Sequence, residues 1–165
     1  MGTHTLLAPL YGYSPRGHRA FFKVPRNRGM NTTLLASMSV EGMGPSMAIE
    51  RTTTKEVFEA YVEYFLAPVL KSGQVVIMDN FSAHKGERVR KLIEDRGCQL
   101  LFLPPYSPDL KPIEEAFSKV KRSLRDIGAR TKEVLVEAIG EALDAVSARD
   151  AEGFFTHCGY RGLAQ

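Results

Sequence analysis

Apolar residues along this chain keep two different rhythms, and the change comes at Thr53. Before it they gather in short runs broken by turn formers. Residues 3 to 13 read as an extended lead-in interrupted by Pro9 and Gly12, and Ser14-Pro15-Arg16-Gly17 reads as a turn. Residues 19 to 24 predict a strand that stops at Pro25, and residues 26 to 29 form a basic turn. Residues 32 to 40 predict a second strand, closed by Glu41-Gly42. The two strands are expected to pair as an antiparallel hairpin, with a third short strand around residues 45 to 50.

From Thr53 onward the spacing turns helical. Thr53-Thr54-Lys55-Glu56 has the form of a capping box, in which the Thr53 hydroxyl accepts a backbone N–H and Glu56 reaches back. Val57, Phe58, Tyr61, Val62, Phe65 and Leu66 follow at helical intervals until Pro68 ends or bends the helix. Val75 to Met78 is an uninterrupted β-prone run, the pattern of a strand covered on both faces. Residues 83 to 96 predict a helix packing through Val89, Leu92 and Ile93, with Gly97 as its stop. Residues 98 to 103 give another apolar strand, and helices are expected over 112–127 and 131–147. A short helix from Ser147 leads to a tail containing Phe154, Phe155, His157, Cys158 and Tyr160. Strand–helix–strand alternation implies a parallel pair with a crossover helix. The expectation is one α/β domain over residues 1–165, without internal repeats or linkers.

Composition adds little beyond this. A chain of 165 residues with 44% hydrophobic content suits one core of useful size, and a net charge of +3 permits a polyanionic partner without requiring one. Cys98 and Cys158 match no zinc spacing and are expected to be free thiols in a reducing compartment. No apolar run approaches the ~18 residues of a membrane span, and no signal pattern opens the chain. A soluble, cytoplasmic protein is the expectation.

Two acids stand out from this background. Asp79 follows the strand 75–78 directly, where ligands collect beyond the carboxyl ends of parallel strands; an Asp-Asn turn at a strand end is the competing explanation. Advancing about 100° per residue from Ile113 puts Phe117, Val120, Leu124 and Ile127 within about 40° of it, a buried stripe. Glu114 then falls at about 100°, on the flank that looks towards Asp79, and Glu115 at about 200°, towards solvent. Lys121 and Arg125, at about 80° and 120°, lie on Glu114's side and suit either a nucleic-acid backbone or a solvated basic face. Pro112 fits the first helical position, and Asp109 suits a turn or cap. Converging carboxylates need a cation between them, and hard oxygen donors favour Mg²⁺ or Mn²⁺, the ions of metal-assisted phosphoryl transfer. His84 and Asn80 are candidate supporting residues beside Asp79, although a structural histidine near a helix start is as good an account of His84. His4, His18 and His157 have no interpretable spacing, and no phosphate loop or nucleophile motif is present.

The segments Met78-Asp79-Asn80-Phe81-Ser82-Ala83-His84-Lys85 and Leu103-Pro104-Pro105-Tyr106-Ser107-Pro108-Asp109-Leu110-Lys111-Pro112-Ile113-Glu114 resemble mariner-type DDE transposases of bacterial insertion sequences. Positions 80 through 113 place 34 residues between Asp79 and Glu114, the separation of that family's second and third catalytic acids. The likeness extends from Pro9-Leu10-Tyr11-Gly12-Tyr13 to His157-Cys158-Gly159-Tyr160. It implies an RNase H-like mixed sheet flanked by helices, a divalent metal held by Asp79 and Glu114, and DNA strand cleavage and transfer. The implied partners are DNA, at transposon ends and target, and a second copy or a full-length transposase.

The chain departs from the family pattern in three respects. Lys111 stands where the family usually has asparagine. No helix-turn-helix region precedes the catalytic half. No aspartate occurs before Asp79 and no glutamate before Glu41, so the family's first catalytic aspartate, on the central first strand, has no counterpart. The expectation is a truncated or split transposase, inactive alone, in which residues 3–8 partly fill the vacant strand position. Two other functions stay open: an RNase H-like nuclease working with two acids, and a non-enzymatic module that binds DNA or pairs with a full transposase.

Overall fold

The computed structural model describes residues 1–3, 5, 7, 14, 16–18, 31–50, 52–81 and 84–160. The strand expected over residues 19–24, and with it the first hairpin, lies outside the described residues. The hairpin that is described forms one step later. β2 (Thr32–Ser39) turns at Val40-Glu41 and pairs antiparallel with β3 (Gly42–Glu50), with a bulge between Ala36 and Met38. The expected third strand is therefore real, and it begins at Gly42, where φ is +126° and a side chain would be strained. On its other edge β2 takes up a short β1 (Gly2–Thr3), extended by mutual hydrogen bonds between Met1 and Leu34.

α1 (Lys55–Tyr61) is capped by Thr54, not Thr53: the Thr54 hydroxyl accepts the Val57 N–H at 3.4 Å. The helix does not run on regularly to Pro68. Its register widens into a π-helical stretch over Val62–Leu66 and then a tight turn at Ala67–Val69. That change of period swings Phe65 outwards while Val62 and Leu66 stay buried. β4 (Val75–Met78) and β5 (Gln99–Phe102) pair in parallel, joined through α2 (Glu87–Glu94). α2 starts four residues later than the periodicity predicts, with Gly86 as its N-cap, and it buries Val89 and Ile93 as expected. Gly97 ends the turn after it with φ of +70°, and an added Cβ there would meet the Ser72 hydroxyl at 2.5 Å.

The expectation that β4 is covered on both faces fails. Successive strand side chains point to opposite faces, and here only one face packs. Met78 and Leu100 sit in a core with Phe58, Tyr61, Val89 and Ile93. Val75, Ile77 and Leu101 on the other face are 47%, 37% and 53% exposed. Among the described residues the strands form two sheets, β1-β2-β3 and β4-β5.

α3 (Pro112–Ile127) has Pro112 at its first position and closes on Gly128 in the left-handed region. Its stripe Phe117, Val120 and Leu124 is buried with Ala116, whereas Ile127 is exposed. α4 (Lys132–Asp144) packs on α3 and ends earlier than expected. α5 (Ala148–His157) begins at a Ser147–Asp150 capping box and takes in Phe154 to His157, which are helix and not tail. The β2–β3 hairpin lies between two cores. Leu34 joins the α3–α4 core, and its neighbour Leu35 packs against the α1–α2 core. Among the described residues no helix is long and apolar enough to cross a membrane.

Candidate active site

Asp79 leaves β4 at its carboxyl end, one residue beyond the buried Met78. Its Oδ1 accepts the Phe81 N–H at 3.3 Å, so it does form the Asp-Asn type of turn. The same oxygen lies 2.6 Å from His84 Nδ1. Its Oδ2 lies 3.4 Å from Lys111 Nζ. These neighbours, the His84 contact foremost, outweigh partial burial and hold the carboxyl down to about 2. Asp79 is thus fully ionised at neutral pH.

His84 is fixed by aromatic packing. Its ring sits 4.1 Å from Phe58 of α1 and 5.6 Å edge-on from Phe81. The histidine precedes α2 and presents its ring to Asp79, with Phe58 packed behind it. Asn80 is half-buried next to Asp79.

Beyond β5 the chain runs through Pro104-Pro105 and reverses at Tyr106, a non-glycine residue with φ of +55°. A short turn at Pro108–Leu110 then delivers it to α3. Lys111 is the hinge: its N–H donates to Pro108 O and its carbonyl accepts the Glu114 N–H, both at 3.0 Å. Glu114 is exposed in the first turn of α3, and Ser118 donates to its carbonyl. The Met1 ammonium feels three charges from this region. Burial lowers its pKa, while Glu114 and Asp79 raise it and Lys121 lowers it further. No ion pair among the described residues engages Lys121 or Arg125, and both are half-buried.

Glu115 corrects the sequence expectation. It is half-buried and is paired with His157 Nδ1 of α5, with Cys158 Sγ donating to the same oxygen at 3.9 Å. The contact with Glu115 raises His157, and burial followed by Glu115 raises the Cys158 thiol. These residues, with Asp109, Lys111 and Glu114, line a cleft of about 310 Å³ at the start of α3. Tyr160 closes the same end by donating to Leu110 O at 2.9 Å. Pairings across 42 and 50 residues carry no periodic signal.

Asp79 and Glu114 are hard, anionic oxygen donors of the kind that suit Mg²⁺ or Mn²⁺. Among the described residues no group of three or more such side chains is assembled. The donor chemistry fits a divalent ion, with Lys111 as a competing cation already against Asp79.

Comparison with known proteins bears on the same segments. The profile of a family described as DDE superfamily endonuclease matches residues 2–135. The Tc1 transposase of Caenorhabditis elegans is 26% identical over 140 residues, 81% of this chain and 50% of that protein. The Tcb2 transposase of Caenorhabditis briggsae is 27% identical over 108 residues, 63% of this chain and 40% of its own length. The chain thus spans about half or less of the curated relatives it matches. In structure, the Mos1 transposase paired-end complex with left transposon end aligns at a TM-score of 0.77 over 98% of this chain and 51% of that one, at 17% identity. The catalytic domain of Mos1 mariner transposase aligns at 0.64 over 78% and 69%, at 16% identity. The fold is accordingly that of the Mos1 catalytic domain, an RNase H-like mixed α/β arrangement.

Proposed function

Because the chain belongs to the DDE superfamily endonucleases, we propose that it is the catalytic region of a DNA transposase in which Asp79 and Glu114 hold Mg²⁺ or Mn²⁺. The observation that carries this is the meeting of β4 and α3: the residue at the head of α3, Lys111, reaches the ionised Asp79 at the tip of β4. Mos1 catalytic-domain structures described with Mg and with Mn have a similar fold, which supports the choice of ion. When bound, such an ion supplies an activated water or 3′-hydroxyl and offsets charge on the leaving oxygen.

The chain's own residues do the rest. Asp79 is anionic at neutral pH, and His84 and Lys111 hold its pKa down to about 2, so it stays charged well into the acid range. Lys121 and Arg125 meet the phosphates of DNA entering beside Glu114. A Mn²⁺ titration followed by calorimetry tests the metal site: binding to the native chain, and its loss in both Asp79→Asn and Glu114→Gln, is the expected result. Undiminished binding in the two variants would sink the assignment. On DNA, Lys121→Ala and Arg125→Ala are each expected to weaken binding whatever the sequence and to lower the salt slope by about 1.

One observation favours an alternative, a non-enzymatic module that binds DNA or pairs with a full transposase. Both oxygens of Asp79 already face cationic or donor groups. DNA binding that survives Asp79→Ala and Glu114→Ala, in a chain that takes up no Mn²⁺, would select it.

A further inference from the structure

We propose that Lys111 is a built-in counter-cation for Asp79, a positioning residue that sets how tightly a divalent ion binds there. The inference rests on the metal site proposed above. Each oxygen of Asp79 has its own neighbour: Oδ1 meets His84 and the Phe81 N–H, and Oδ2 meets Lys111 Nζ at 3.4 Å. Lys111 is three-quarters buried, so its ammonium is less screened than that of a surface pair.

Its backbone ties it to the other acid. The Lys111 carbonyl accepts the Glu114 N–H, and Tyr160 holds the preceding residue by donating to the Leu110 carbonyl. The side chain on β4's acid and the backbone under α3's acid therefore belong to one residue. In the metal-free protein the ammonium offsets charge on Asp79.

An ammonium has three donors and no lone pair, so it cannot join a metal's ligand shell. A divalent ion approaching Asp79 must displace Lys111 Nζ or settle beside it against like charge. Either way the lysine lowers metal affinity, and the site exchanges one cation for another.

Mn²⁺ binding, read from the electron paramagnetic resonance of the free ion, separates the cases. Lys111→Met is expected to tighten binding by about tenfold, with Lys111→Asn as a second neutral variant. Lys111→Arg keeps the charge and is expected to stay within about twofold of the native chain. The Mn²⁺ dependence of the thermal midpoint supplies a readout that a merely structural lysine would not move. In EDTA, Lys111→Met should melt below the native chain, and Asp79→Asn in the same background should restore much of the loss. In Mn²⁺ the difference should shrink or reverse. Equal affinity in native and neutral variants, or the same melting deficit with and without Mn²⁺, overturns the role of Lys111 and leaves the metal site standing. No Mn²⁺ binding by any variant overturns the metal site, and this inference with it.

Discussion

Tyr61 is buried, and its hydroxyl donates to the Pro45 carbonyl at 2.7 Å, joining α1 to β3. Burial pushes its pKa from 10.0 up to about 12. An acid raised by folding stabilises fully below its unfolded value and loses that contribution as pH climbs through the folded one. The shift corresponds to about 2–3 kcal/mol. The free-energy gap between the native chain and Tyr61→Phe, from urea unfolding, should therefore narrow by about that amount between about pH 9 and 12. Asp79 has the opposite sign. Its pKa falls from 3.8 to about 2, so its contribution is present above the unfolded value and is lost as pH drops through the folded one. With a third of the side chain in solvent, screening leaves it at about 1 kcal/mol. Acid titration of stability in EDTA should be flatter for Asp79→Asn below about pH 4. Position in the sequence was enough to single out Asp79, since it ends an apolar strand. Nothing in the sequence coupled Glu115 to His157, because only the packing of α5 on α3 brings those distant residues together.

α3 and the β4–β5 pair show how far periodicity reaches into energetics. The stripe Phe117, Val120 and Leu124 was legible from 3.6-residue spacing, and all three are buried. Leu124→Ala is expected to cost about 2–5 kcal/mol by chemical denaturation, as for a well-packed core leucine. The strands were legible as strands, but their environment was not. Leu100 is buried and Ile77 is not, so Leu100→Ala should cost about 2–5 kcal/mol while Ile77→Thr stays within about 0.5 kcal/mol. Comparable losses for the two would show that the open face of β4 is covered. An apolar run gives no period from which to tell one covered face from two. The π-helical stretch after Tyr61 was hidden for a related reason: Phe65 and Leu66 both fit a helical stripe, and only tertiary packing chose between them.

In the whole molecule, the β2–β3 hairpin joins two cores that would otherwise be separate, through Leu34 on one side and Leu35 on the other. A shared wall couples them. Leu34→Ala, at a cost of about 2–5 kcal/mol, should lower amide-exchange protection in α3 and in α2 alike; a loss confined to α3 would show that the cores open independently. Taken alone, the sequence determined the order of strands and helices from residue 32 onward, the position of Asp79 and Glu114 at element ends, and the family motif that joins them. Those follow from local patterns of charge, apolar spacing and turn residues. Tertiary structure decided which neighbours those acids have. Lys111 and His84 on Asp79, the α5 clasp on Glu115, and the open face of β4 all depend on contacts between elements distant in sequence. Such contacts are set by how whole faces pack, and a linear pattern records a face without recording what lies against it.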